Sequence, residues 1–410
     1  MKTARPWPAF TVSKKAAAQL AAGHPWVYEN EILAAPADLP APGGFADAFS
    51  PSGSWLGTGF YSPASKIRLR VFSRNANDQP DDAFWRRRLA YAWAYRRQVM
   101  GPADSRCCRL VFGEADQLPG LTVDRFEDIL VAQITSVGME RLKTTLFPLL
   151  AEVLAADGQP VRGLYERNDL PLRAREGLPL GKGWFPLPGR PTPASTEVSI
   201  CENGITYTVD FENGQKTGFF LDQKYNRQAV ARLAAGRTVL DCFTHTGSFA
   251  LNAARGGAAR VTAADISQSA LEMARRNAAR NGLADRMDFC CADTFALLPR
   301  LEREGSPYDF IILDPPAFTK ARATAANALR GYKEINLRAI RLLPRGGYLA
   351  TASCSHFAPA PAFVQMLHAA AHDAQRSLRQ IEARQQSPDH PILWDVPETD
   401  YLKFYLFQVV

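Results

Sequence analysis

Residues 238–254 read TVLDCFTHTGSFALNAA. A short apolar run ends on an acid, Asp241. A loop with a single glycine, Gly247, follows, and then a small-residue helical pattern begins. A strand that ends on an acid and turns into a helix is the opening of a nucleotide-binding α/β unit. The order repeats downstream. ARVTAADI (259–266), MDFCCAD (287–293), DFIILDPP (309–316) and GYLATASC (347–354) read as strands. Helical patterns lie between them, such as SQSALEMARRNAARNGL (267–283), closed by Asn281-Gly282. Apolar strands alternating with helices predict a doubly wound, mostly parallel sheet. This predicts a Rossmann-like α/β domain over residues 191–410, with a last strand in YLKFYLFQVV (401–410). EVSICENGITYTVDF (197–211) opens it as a hairpin turning at Asn203-Gly204.

Two further units are expected upstream. Residues 1–75 are rich in Pro, Gly and aromatics, with a short helix in SKKAAAQLAAG (13–23) and strands in WLGTGFYS and KIRLRVFS. They predict a small β-rich domain. Residues 76–190 open with a long helix in DDAFWRRRLAYAWAYRRQVM (81–100). Phe84, Leu89, Ala92 and Tyr95 are expected on its buried face, with arginines around the rest. Three strands, a second helix and another strand follow, predicting a central α+β domain. GLPLGKGWFPLPGRPTPAS (177–195) reads as a connection.

Composition narrows the class. The chain has 410 residues, 46% hydrophobic and 22% charged, as globular proteins have. No signal-type segment is evident at the start, and no apolar run reaches the ~18 residues a bilayer demands; a cytoplasmic location without a membrane is expected. The seven cysteines show no zinc spacing, so no metal is expected, and Cys107, Cys108, Cys201, Cys290 and Cys291 are assigned to packing. Residues 1–110 hold 15 Lys/Arg against 8 Asp/Glu, and the remainder is balanced. A basic first quarter is the electrostatic footprint of a phosphate-backbone partner.

Acids stand at four successive strand ends: Asp241, Asp265, Asp293 and Asp314. Asp265 lies 24 residues after Asp241, near the ~20 typical of a ribose-binding acid. The loop at Gly247 lacks the G-x-G-x-x-G that cradles a pyrophosphate. A ligand with ribose, adenine and a positive centre, but no phosphates, fits this set: S-adenosyl-L-methionine. Helix caps and strand-end turns are the plainer reading of each acid taken singly.

DPPAF (314–318) and SCSHF (353–357) bear on the chemistry. The Asp314-Pro315-Pro316 turn resembles that of enzymes methylating exocyclic amino groups, which need no cysteine. Carbon 5 of cytosine is a poorer nucleophile, and a thiolate must first add at carbon 6. Cys354 follows an apolar strand and is flanked by Ser353, Ser355 and His356, where such a thiolate is wanted. A buried, inert cysteine is the alternative. His356 is a possible aid to proton movement or a surface histidine.

On these motifs, with GHPWVYENEI (23–32) and QKTGFFLDQKYNR (215–227), the chain resembles the ribosomal RNA large subunit methyltransferase I family over nearly its whole length. The resemblance implies an N-terminal PUA-like RNA-binding domain, a central α+β domain and a class I methyltransferase domain. It implies cytosine-5 methylation of 23S rRNA and a homodimer. Lys216, Phe220, Asp222 and Gln223 would help form the cofactor pocket; Asp241, Phe243, Thr244 and Ser248, with Gly247 at the loop tip, would line the methionine end. Asp265 would hold the ribose and Asp293 the adenine edge. Asp314 would sit between cofactor and base, and Cys354 would be the nucleophile. Ala317 stands where many RNA cytosine-5 methyltransferases carry a second cysteine, which leaves the proton-removing base open, with Asp314 a candidate. Two rivals remain: methylation of a purine nitrogen without covalent catalysis, and a non-catalytic RNA-binding assembly factor.

Overall fold

The computed structural model describes residues 6–305, 307–319 and 324–410. The chain divides into two compact units. The first comprises residues 1–200, 209–221 and 388–399; the second comprises 201–208, 222–387 and 400–410. Residues 209–221 and 388–399, read from sequence as part of the third domain, thus cluster with the N-terminal unit.

The first unit holds two sheets. β1 (Ala9–Val12), β2 (Trp26–Tyr28), β3 (Ile32–Ala34), β4 (Phe45–Phe49), β5 (Trp55–Tyr61) and β6 (Ile67–Ser73) form one, in the order β2-β6-β5-β4-β1-β3. Helix α1 (Lys14–Ala22) is capped by Ser13 and stopped by Gly23, whose φ of 109° suits only glycine. Helix α2 (Asp82–Val99) follows. β7 (Cys107–Phe112), β8 (Leu121–Phe126), β9 (Ile129–Ile134), β10 (Gly163–Asn168) and β11 (Gly181–Phe185) form the second sheet, with helix α3 (Val137–Ala156) crossing between parallel β9 and β10. β11 lies inside the segment expected to be a connection. It pairs antiparallel with β10 along a sheet edge, and Trp184 comes within 2.8 Å of where a Cβ on Gly163 would sit. Its glycines disguised a strand anchored by two aromatics, Trp184 against Tyr165 and Phe185 against Phe147.

Helix α2 corrects a second expectation. Tyr95 is 38% exposed, whereas Arg96 is fully buried. The Arg96 guanidinium forks onto both Asp116 oxygens and also donates to the Arg109, Ala92 and Asp389 carbonyls. A guanidinium with every donor engaged can be buried where an unpaired one cannot.

A hairpin of β12 (Glu197–Glu202) and β13 (Ile205–Asp210) turns at Asn203-Gly204, both with positive φ (56° and 73°). In the second unit, helix α4 (Lys224–Leu233) precedes β14 (Thr238–Cys242), α5 (Ser248–Arg255), β15 (Arg260–Asp265), α6 (Gln268–Arg280), β16 (Met287–Cys291), α7 (Thr294–Glu304), β17 (Phe310–Leu313), α8 (Ala325–Leu342), β18 (Tyr348–Ser353), α9 (Ala360–Asp373), β19 (Leu378–Arg384) and β20 (Lys403–Val409). The sheet order is β16-β15-β14-β17-β18-β20-β19. The first five are mutually parallel, while β20 runs antiparallel to β18 and β19 antiparallel to β20. Strand order reverses between β14 and β17, so a crevice opens at their carboxyl ends. Leu240, Ile311, Leu349, Ile335 and Phe363 pack beneath it. No helix among the described residues is long and apolar enough to cross a membrane.

Candidate active site

The loop after β14 is held from below. Asp241 is wholly buried, and its Oδ2 accepts from Thr244 Oγ1 (2.5 Å) and from the Ala250 amide (2.9 Å). Thr244 is itself buried, so these two side chains shape the loop, while Phe243 and Ser248 are only half-buried. Phe243, His245 and Gly247 all take positive φ (64°, 52°, 83°). Non-glycine residues hold that conformation only where surrounding contacts enforce it, as at functional loops. Burial pushes the Asp241 carboxyl up to about 8, and the nearby Asp314 and Asp265 charges add to the rise. Its Oδ1 is buried without a hydrogen-bond partner.

Asp265 ends β15, accepting the His245 amide on Oδ2 (2.8 Å) and the Ser267 amide on Oδ1 (2.9 Å). The exposed Asp293 accepts the Phe295 amide at 3.0 Å and caps α7. Each of these acids therefore has the turn or cap role that was the plainer reading. Sequence reasoning passed over their apolar neighbours: Ile266 is 72% exposed and Phe295 40% exposed. A large apolar side chain one or two residues after a strand-end acid was the available signal.

Asp314, one residue past β17, accepts from Gln223 Nε2 at 2.9 Å. Gln223 is oriented in turn by Asn226, whose Nδ2 donates to Gln223 Oε1 at 2.6 Å. Asn226 receives Arg384 Nε and donates to the Gln385 carbonyl. Buried Asp222 accepts the Tyr401 hydroxyl at 2.6 Å. β17 and β18 pair in register through Leu313↔Thr351. Asp314 directly follows β17 and Cys354 directly follows β18, so both leave neighbouring parallel strands at the same end of the sheet. Cys354 is half-buried. The Tyr332 phenol on α8, pushed up to about 12 by burial, feels the charges of both Cys354 and Asp314. Buried Lys403 on β20 also lies within electrostatic range of Cys354. Phe318 stacks obliquely 4.6 Å from Tyr332 and lies 5.6 Å from Phe295. An open cavity of about 620 Å³ runs beside Phe295, Ala317, Phe318 and Thr319.

The second unit thus gathers Asp241, Asp265, Asp314, Gln223 and Cys354 at one end of one sheet. The spare buried oxygen of Asp241, and the Asp314 and Asp265 charges that raise its carboxyl, suit a ligand bearing positive charge and no phosphate, as S-adenosylmethionine does. The profile of S-adenosylmethionine-dependent methyltransferases matches residues 187–408, and that of the PUA-like domain matches residues 10–74. The ribosomal RNA large subunit methyltransferase I of Shewanella amazonensis is 42% identical over 383 residues, 93% of this chain and 94% of that one. Its counterpart from Klebsiella pneumoniae is 37% identical over 405 residues, 98% and 99% of the two chains.

The chain belongs to the ribosomal RNA large subunit methyltransferase I family. Its methyl donor is accordingly S-adenosylmethionine. The fold is shared with a candidate SAM-dependent methyltransferase of Streptococcus mutans at a TM-score of 0.81, 20% identity and 98% and 99% coverage. It is also shared with a candidate methyltransferase complexed with SAH, at 0.83, the same identity and the same coverage. In this family member, Lys216 and Phe220 fall in the first unit, where the Lys216 ammonium lies 4.8 Å from the Phe220 ring centroid. Thr217 beside them is buried and donates to Asp124 at 2.6 Å. Of the cysteines assigned to packing, Cys107 and Cys108 are buried, but Cys201 and Cys291 are exposed. Cys201 lies on the outward face of β12, whose burial alternates, and Cys291 is the last residue of the edge strand β16. Asn226, Tyr332, Tyr401 and Lys403 were missed, because nothing local in the sequence marks a residue that acts through another.

Proposed function

We propose that the protein methylates carbon 5 of a cytosine in 23S rRNA through a covalent bond between Cys354 and carbon 6. The rRNA substrate is supported by the relatives' names and by the PUA-like domain. The basic first quarter of the chain supplies phosphate contacts, which set affinity and register. The observation that carries the cysteine reading is the place of Cys354: just past β18, at the same end of the sheet as Asp314 just past β17, with both in electrostatic range of Tyr332.

S-adenosylmethionine supplies an electrophilic methyl group. Asp265, Ile266, Asp293 and Phe295 would hold its ribose and adenine, and Phe243 and Ser248 its methionine end. The base is flipped from its stack to reach the site. The Cys354 thiolate adds to carbon 6, and the displaced electron pair makes carbon 5 nucleophilic. Carbon 5 would take the methyl group as the sulfonium S–CH3 bond breaks, leaving S-adenosylhomocysteine. A base, for which Asp314 is the candidate, removes the carbon-5 proton; the double bond re-forms and the thiolate departs. Gln223 keeps Asp314 aimed. A homodimer is the assembly proposed, and sedimentation velocity tests it.

The test uses labelled S-adenosylmethionine and 23S rRNA lacking its native methylations, digested to nucleosides for mass spectrometry. Label in 5-methylcytidine is expected, with Cys354→Ala reducing it at least 10³-fold while S-adenosylmethionine affinity stays unchanged. Label in a purine, retained by the variant, would overturn the reading.

A further inference from the structure

Lysine is almost never fully buried unless its charge is met. Lys403 is only 7% exposed. It sits on β20 directly opposite Ser353, the last residue of β18. Its Nζ donates to the Ser355 carbonyl at 2.7 Å and to the Tyr401 carbonyl at 2.9 Å. The ammonium is therefore met by two carbonyls rather than by a carboxylate. One of those carbonyls belongs to the residue directly after Cys354. Burial lowers the ammonium to about 8, and the nearby Cys354 and Asp400 pull it back up. Other titratable groups nearby include the Tyr332 phenol, kept neutral by burial and within range of both Cys354 and Asp314, and exposed His356, whose ring stands 6.0 Å from Tyr401.

We propose that Lys403 is a positioning residue for Cys354: it ties down the turn that carries the sulfur and stabilises its thiolate by charge. The inference rests on Cys354 being the nucleophile. A thiol attacks as thiolate, and a neighbouring cation raises the thiolate fraction at neutral pH. A carboxylate partner would have cancelled the lysine's field, whereas two carbonyls fix the ammonium and leave its charge available. The thiol proton passes to water. The arrangement keeps the cation on a strand of the central sheet, so its place does not depend on bound RNA.

The experiment is the pH dependence of iodoacetamide alkylation at Cys354 in the full chain, resolved by peptide mass spectrometry. Exposed Cys201 in the same samples is the internal control. In the wild type the Cys354 midpoint is expected below the ~8.5 of an ordinary thiol. Lys403→Met is expected to slow alkylation of Cys354 at pH 7 about tenfold, by moving the midpoint up by about one unit. Cys201 should not change, and Lys403→Arg should restore most of the rate. Melting temperature and S-adenosylmethionine affinity report whether the variants are folded. Should Lys403→Met not fold, the wild-type midpoint and the Lys403→Arg profile decide. A wild-type midpoint at or above 8.5, or a folded Lys403→Met with an unshifted profile, overturns the proposal. Methylation surviving in Cys354→Ala would instead remove the nucleophile role and leave the alkylation profile as it was, so the two failures are distinguishable.

Discussion

Asp241 shows how one side chain can be read correctly in place and incompletely in role. Its position at a strand end was legible, because an acid after an apolar run interrupts the pattern. Its burial was not, since that depends on the loop folding back over it through Thr244 and Ala250. The folded-state value near 8 exceeds the ~3.9 of an exposed aspartate, so the neutral form favours the folded chain. That contribution is fully present below about pH 4 and is lost as pH rises through 8. Asp241→Asn keeps the shape and removes the charge. The ligand-free variant is expected to lose less melting temperature than the wild type between pH 7 and 9, as differential scanning fluorimetry would read. Equal losses would mean that the carboxyl ionises at no cost. Lys403 was illegible for a related reason: in YLKFYLF it occupies an ordinary strand position, and only the antiparallel return of β20 brings it to Cys354.

At the scale of elements, the five parallel strands of the second unit were readable, because burial on both faces demands continuous apolar residues. β11 was hidden by its glycines. Helix α4 illustrates a packing device that periodicity cannot disclose. Arg227 and Glu202 are both buried, and the guanidinium forks onto the carboxylate at 2.7 and 2.9 Å. The pair pins α4 to the Glu202 end of β12 just after Gln223, the residue that orients Asp314. Removing one partner strands the other charge in the interior, so Glu202→Ala should cost about 3–5 kcal/mol by urea denaturation. A second element-level test lies at the β14–α5 turn. Gly247 has φ 83°, and a Cβ there would meet the Ala274 Cβ at 3.0 Å. Gly247→Ala is expected to cost about 1–2 kcal/mol for the left-handed conformation alone. It should also weaken S-adenosylmethionine binding, as calorimetry would measure.

Over the whole molecule, the charge asymmetry was open to simple counting, whereas the path of the chain was not. The first unit is built from three separate stretches, and its last, 388–399, is far in sequence from the other two. Part of that stretch reaches the unit's interior: Asp389 and His390 are buried, Asp389 Oδ2 accepts the Arg109 amide at 2.8 Å, and its carbonyl accepts Arg96. A fragment ending at Leu221 lacks these acceptors. It is expected to melt at a lower temperature than the same fragment mixed with a synthetic 388–399 peptide, since binding to the folded form raises stability. No rise at saturating peptide would show that the stretch is dispensable. The same path governs synthesis. Most multidomain chains let an N-terminal part finish folding while the rest is still being translated. Here the part that emerges first gains the Asp389 acceptors only after residues 388–399 have left the ribosome. A polypeptide released before then would still carry the PUA-like domain at residues 10–74, yet would leave buried Arg96 and the Arg109 amide each an acceptor short.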